Sequence, residues 1–286
     1  MPTATMSEYL TLSDVPLSCE AWSTENLSSF LDGPGVRGAD LVNPSRSGEI
    51  PRRRTLAART FTIPLTVNGY YDTDDNPSAD PRATLLANLD YLKALFTPDP
   101  TTLTGTRVLQ WVTPDGTREG DVHVNPALSI QTLGPHAARL VVDVTLPGGV
   151  LRDTDESLLP ISINHNQTSK THTITVPGNV EIQDARIEVD GTSGDPSCDS
   201  FRIENLTYDA SGGVFVEYDA TVNDPLIIYA DTYTATHGAT QVGGSITNGG
   251  SAIWLPLRPG ENSLRVLIPG NTVNCHVHVH VKGAWA

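Results

Sequence analysis

The segment "ARTFTIPLTVNGYYD" sets Phe61, Ile63, Leu65 and Val67 on alternate positions, with Thr62, Pro64 and Thr66 between them. A period of two predicts a half-buried β-strand. Pro64 inside it points to a sheet edge or a bulge. The period changes over "DPRATLLANLDYLKALF", where Leu85, Leu86, Leu89, Leu92, Leu95 and Phe96 recur at helical spacing. Asp80 is a good N-cap, Pro81 suits the first helical position, and Thr97-Pro98 ends the pattern, so a helix is expected near 81–96. Its stripe is aliphatic and reads as core. Two hairpins follow, one turning at Pro114-Asp115-Gly116 and one at Gly134-Pro135.

Glycines and then acidic residues in "LPGGVLRDTDES" mark a change of composition, and the domain boundary is placed there, giving residues 1–152 and 153–286. Beyond it the chain alternates short β-rich runs with turn clusters. The expected strands are "LPISIN", "THTITV", "ARIEVD", "SFRIEN", "GVFVEYD", "LIIY", "TYTAT", "IWLPL", "SLRVLI" and "VNCHVHVHV". The polar run "THGATQVGGSITNGG" reads as turn. Many short strands at regular spacing predict an antiparallel sandwich. The fold class is therefore mainly β, with one helix in the first domain.

The last strand carries candidate chemistry. Cys275, Val277, Val279 and Val281 share one face, and His276, His278 and His280 share the other. Imidazoles two apart can share a metal, but a closed zinc site needs a fourth ligand and a catalytic one an open position. No motif such as H-E-x-x-H supplies either. The row reads as a structural or interface face first and as a weak metal face second. In an oligomer such a face could also titrate near neutral pH.

The stretch "ADLVNPSRSGEIPRRRTLAART" shows no period and reads as a long exposed loop. Arg52, Arg53 and Arg54 stand together in it. They form either a docking arm held by complementary charge or an ordinary solvated charge run. The acidic "DTDDNPSADPRA" lacks the glycine and distal glutamate of an EF-hand loop and reads as a plain loop.

Composition narrows the function classes. The net charge of −15 over 286 residues argues against a general nucleic-acid binder, which should be basic. Like charge would let DNA pass without sticking. Cys19, Cys198 and Cys275, an odd count with no close spacing, give neither a disulfide framework nor a zinc knuckle and read as reduced thiols. No apolar run is long enough to span a bilayer, and the start has no basic and apolar leader pattern, so assembly in a cytoplasm is expected. There is no G-x-S-x-G elbow, P-loop or Rossmann fingerprint. Ser197, Cys198 and Asp199 lie in one turn without a base that sequence can place. The expectation is a protein without catalytic residues or cofactor.

Five segments together resemble the distal tail proteins of long-tailed bacteriophages, especially the minor tail proteins of actinobacterial phages. They are "LDGPGVRGADLVNPSRSGEIPRRR", "FTIPLTVNGYYD", "NPSADPRATLLANLDYLKALF", "VLQWVTPDGTREGDVHV" and, late in the chain, "IWLPLRPGENSLRV". The last looks like an aromatic-aliphatic strand, a Pro-Gly-x-Asn turn and a second strand. The resemblance implies a β-barrel-like ring domain followed by a galectin-like sandwich. It implies a hexameric ring at the tail tip that joins the tail tube to the hub or tail-associated protein, meets the tape measure protein, and leaves a channel for DNA. The virion tail tip would be its location, and Arg52–Arg54 its candidate contact with the next subunit. A carbohydrate-binding attachment module, with Trp254 and Tyr233 as stacking residues, is the alternative. A metal-dependent hydrolase using the C-terminal histidines is the third reading.

Overall fold

A computed structural model describes residues 8–26, 28–37, 41–42, 49–50, 55–191, 199–222, 224–249, 254–271 and 274–286. The chain divides into two compact units, 1–153 and 154–285. Both are built on antiparallel strands, and the fold is all-β with one substantial helix.

The first unit runs β1 (Tyr9–Leu12), β2 (Val15–Pro16), β3 (Trp22–Thr24), α1 (Ser28–Leu31), β4 (Val36–Arg37), β5 (Leu41–Val42), β6 (Glu49–Ile50) and β7 (Thr55–Leu56). It continues with β8 (Arg59–Asn68), α2 (Pro81–Leu95), β9 (Arg107–Thr113), β10 (Gly116–Val124), β11 (Ser129–Gly134), β12 (Ala137–Leu146) and β13 (Leu151–Asp153). The main sheet has the order β2-β1-β9-β10-β12-β8-β3, with β11 added to β12 and β13 to β10. Strands β8 and β12 pair over ten residues, from Ala137 opposite Asn68 to Leu146 opposite Arg59. That register puts Phe61, Ile63, Leu65 and Val67 beside Leu140, Val142 and Val144 in one core.

Pro64 lies within a strand paired on both sides, where an edge or bulge was expected. Its carbonyl accepts from Glu25 N (2.9 Å), so its backbone faces the side where β3 has just ended. The missing N–H therefore costs no bond to β12. Next to it, the Ser29 hydroxyl takes over the ladder: Thr62 N donates to Ser29 Oγ, and that hydroxyl donates to Thr62 O, both at 3.2 Å.

Helix α2 begins as its sequence predicts. Asp80 Oδ1 accepts from Arg82 N and Ala83 N, each at 3.2 Å. Leu85, Leu89, Leu92 and Leu95 are buried, and Phe96 is buried at the cap. Leu86 is not part of the stripe: it is 49% exposed, one residue and about 100° of rotation away from Leu85. The stripe instead takes in Asn88, whose Nδ2 donates to Asn68 O and Tyr71 O at 2.9 Å each and so ties the loop after β8 to the helix. Gly69 is needed there, because a Cβ would stand 1.8 Å from Pro81 O.

The segment 39–60, read as one long loop, contains the short ladder of β5 with β6, supplies β7, which pairs with β4 just before the segment, and ends in the first residues of β8. Arg52, Arg53 and Arg54 lie outside the described residues.

The second unit runs β14 (Ser157–Ile163), β15 (Ser169–Val176), β16 (Arg186–Gly191), β17 (Phe201–Asn205), β18 (Phe215–Tyr218) and β19 (Leu226–Tyr229). It ends with β20 (Thr234–His237), β21 (Thr240–Gln241), β22 (Ile246–Gly249), β23 (Gly260–Leu267), β24 (Cys275–Val281) and β25 (Ala284–Trp285). Two sheets, β14-β24-β16-β19-β20-β21 and β15-β23-β17-β18-β22, enclose one apolar core. Two expectations change here. The polar run 236–250, read as turn, forms β21 and β22, the latter pairing with β18. The described part of "IWLPL", residues 254–257, read as a strand, is irregular: Leu255 has φ +49°, and of these residues only Leu257 forms a bridge, to Ile182. The Pro-Gly-x-Asn turn that follows is organised by Asn262. This residue is fully buried and holds Arg258 N (3.0 Å) and Arg258 O (2.7 Å) with its amide.

Candidate functional site

The histidine row sits on an interior strand. β24 lies between β14 and β16, and its Cys275, Val277, Val279 and Val281 are buried in the sandwich core. The pleat then turns His276, His278 and His280 to the outer face. Their rings follow one another at 6.3 and 6.2 Å between centroids. In register, β14 sets Ser162, Pro160 and Leu158 opposite His276, His278 and His280, and β16 sets Glu188 opposite His278 and Arg186 opposite His280.

The three rings are not equivalent. His280 is locked into an ion-pair cluster. Its Nδ1 is 3.0 Å from Glu156 Oε2 and 2.8 Å from Arg186 Nη2, and its Nε2 is 3.3 Å from Glu188 Oε2. Arg186 also bonds Glu156 Oε2 at 2.8 Å and lies 3.6 Å from Glu188. Burial works to raise the Glu156 carboxyl, but the Arg186 hydrogen bond and charge, with His280 beside it, hold it below its ordinary value. Besides the His278 ring, the His276 side chain meets Ser162 among the described residues, Nδ1 to Oγ at 3.1 Å. His278 lies against the rings of His276 and His280 and, among the described residues, forms no hydrogen bond. Among the described residues, no group of three or more His, Cys, Asp or Glu converges as a metal site.

Other sequence candidates fall apart or change meaning. Trp254 is buried in the sandwich core, so its face is closed to stacking. Tyr233, half exposed, meets its edge at 5.6 Å. In the acidic loop, Asp72 Oδ1 accepts from Asp74 N and Asn76 N at 2.9 Å each. The carboxylate thus shapes its own turn, and the Asn76 and Asp74 amides lower its pKa. Ser197 and Cys198 lie outside the described residues. Among described helices, none is long and apolar enough to cross a membrane.

Two polar clusters were invisible in the sequence. Glu204, buried on β17, lies between Arg265 of β23 and Arg202, whose Nε is 2.9 Å away. The Arg202 guanidinium also covers the Phe215 ring at 3.6 Å. Elsewhere Tyr208 donates its hydroxyl to Glu181, Gln183 donates to the same carboxylate (2.8 Å), and Arg258 lies over the Tyr208 ring at 4.3 Å. Register sets Arg265 opposite Glu204, and Tyr208 and Arg258 come from turn and loop segments distant in sequence from Glu181 and Gln183. In the first unit, β11 is an edge strand with Ile130 and Leu133 exposed at 42% and 53%.

No protein-family model matches the sequence, and no curated protein matches it. Solved structures do match. The Dit protein of phage SPP1, described as a paradigm of hub adsorption apparatus in Gram-positive infecting phages, aligns over 97% of this chain and 99% of its own. The identity is 10% and the TM-score 0.62. Two structures of the phage P2 baseplate in its activated conformation, with Ca and with Sr, align over 96% of this chain at 9% identity, with TM-scores of 0.38 and 0.40. At those scores the two baseplate structures say nothing about this fold. Over nearly its whole length, through both units, the chain has the fold of a phage Dit protein.

Proposed function

We propose that this chain is a structural virion protein that assembles into a ring, of six copies, at the distal end of a siphophage tail. The ring would link the tail tube to the tail-tip hub and leave a channel for DNA. One observation carries the reading: the alignment to SPP1 Dit runs through both units and leaves almost no part of either chain over. A sandwich alone is shared by many proteins. A helix-bearing β-domain joined in this order to a sandwich is a narrower match. The net charge of −15 supports a channel that DNA traverses without adhering. The role is non-catalytic, and assembly takes place in the host cytoplasm. Tail tube protein, hub protein and the tape measure protein are the expected neighbours. Arg52, Arg53 and Arg54 are proposed as the contact with the next subunit.

Ring closure needs heterologous contacts around a rotation axis. Negative-stain images and native mass spectrometry of the purified full chain test the reading. Closed rings of six-fold symmetry, reconstituted alone or with the tail tube protein, are the expected result. A monomer that stays single in both conditions and binds neither the tube nor the hub protein would defeat it.

A further inference from the structure

The geometry points to a two-imidazole chelate: His276 and His278 together bind a transition-metal dication of the nickel, copper or zinc class on the outer face of the C-terminal sandwich. The site does not depend on the tail-tip reading. Strand geometry aims both side chains the same way from an interior strand, whose backbone is fixed by neighbours on both sides. The ring centroids are 6.3 Å apart. Metal–nitrogen bonds of about 2.0–2.1 Å would bring two imidazole centroids on one tetrahedral ion to about 5 Å, so a small side-chain rotation closes the gap.

The surroundings prepare the two rings differently from the third. The 3.1 Å contact between Nδ1 and Ser162 Oγ orients the His276 ring, and in the tautomer whose Nδ1–H donates to that hydroxyl the Nε2 lone pair is left for the ion. His278 stands between Pro160 of β14, which offers no competing donor, and Glu188 of β16, whose carboxylate lies toward Arg186 (3.6 Å) and His280 (3.3 Å); among the described residues no hydrogen bond occupies the His278 ring. His280 is already held by Glu156, Arg186 and Glu188, and an ion there would have to break that cluster. Two ligands are fewer than a closed site needs, so water completes the shell and the ion exchanges freely. Imidazole donors select copper, nickel and zinc over the oxygen-seeking calcium and magnesium. The acidic chain raises the local concentration of any dication, and the imidazoles supply the selectivity.

The test is isothermal titration of the untagged full chain with nickel chloride near pH 7.5, with magnesium chloride as control. One nickel ion per chain and no magnesium binding are expected. His278→Ala should weaken nickel binding at least tenfold, and His280→Ala should leave it within about twofold. His278→Gln, which keeps a polar side chain of similar reach, should behave as His278→Ala does, and thermal melts of each variant report folding separately. The proposal is overturned if the wild-type chain takes up no nickel. It is also overturned if either folded His278 variant binds like wild type, or if His280→Ala abolishes binding to the same degree as His278→Ala.

Discussion

Glu204 shows how much one carboxylate can hold. It is buried, and its two oxygens face two guanidiniums, those of Arg202 and Arg265. Removing it leaves two cations facing each other beside the Phe215 ring. Glu204→Ala should therefore destabilise the second unit by about 3 kcal/mol, read as a lower urea midpoint. Glu204→Gln, which keeps one acceptor, should cost less. Gly212 belongs to the same cluster. It has φ +81°, and a Cβ would lie 2.7 Å from Arg265 Nη2 and 2.8 Å from Glu204 Oε2, so Gly212→Ala should also destabilise. The spacing of two sets Arg202 and Glu204 on one face, but nothing along the chain announces Arg265, because β17 and β23 are separated by more than fifty residues of sequence. A different kind of residue sets the alkaline limit. Burial raises the Cys19 thiol against the pull of the Trp22 and Ala21 amides, and burial, then the Glu181 hydrogen bond and charge, raises the Tyr208 phenol. Both fold as the neutral form. Their contribution is complete below the unfolded values, near 9.0 for the thiol and 10.0 for the phenol, and is lost as pH rises above them. The melting temperature should fall from about pH 9 upward. Tyr208→Phe should flatten the upper part of that fall; an identical slope would show that the phenol is not coupled to folding.

At the scale of elements, helix α2 separates what sequence tells from what it does not. Its start is legible because capping is local: Asp80 needs only the amides two and three residues on. Asp80→Ala should cost about 1 kcal/mol. The stripe is legible to one residue. Leu86 looks like core by composition, yet the rotation per residue turns it outward. Leu92→Ala should cost about 2–5 kcal/mol and Leu86→Ala under about 0.5 kcal/mol, both measured by chemical denaturation. Equal losses would mean that Leu86 is covered in solution. Strand β22 is the opposite case. "ITNG" has poor intrinsic strand preference, and it becomes a strand because β18 offers an unpaired edge and Ile246 reaches the core. The histidine row is legible by its period of two, which also assigns the valine face to the core. The inequality of its three rings is not, because it arises from Ser162, Glu156, Arg186 and Glu188, all distant in sequence and brought near by register.

At the scale of the whole molecule, charge is distributed unevenly along the chain. Between residues 36 and 56 stand five arginines and two acids, a charge of +3, so the rest of the chain carries −18. This basic segment contains the two ladders β4–β7 and β5–β6, which belong to none of the three large sheets. Isolated two-stranded ladders are marginal in water and gain most from a surface to rest on. A positive arm and a strongly negative remainder on the same chain are complementary between copies, and a heterologous contact of that kind repeats around a ring until it closes. Screening then distinguishes electrostatic closure from apolar closure. The Debye length shrinks from about 30 Å at 0.01 M salt to about 3 Å at 1 M, so the ring fraction in native mass spectrometry and light scattering should fall steeply over that range. Replacing Arg52, Arg53 and Arg54 by Glu turns the segment from +3 to −3 and should leave single chains even at low salt, with an unchanged melting temperature. If the wild-type ring is indifferent to salt and the triple variant closes as readily, the arm does not hold neighbours together. The exposed apolar edge at Ile130 and Leu133 then becomes the surface to substitute next.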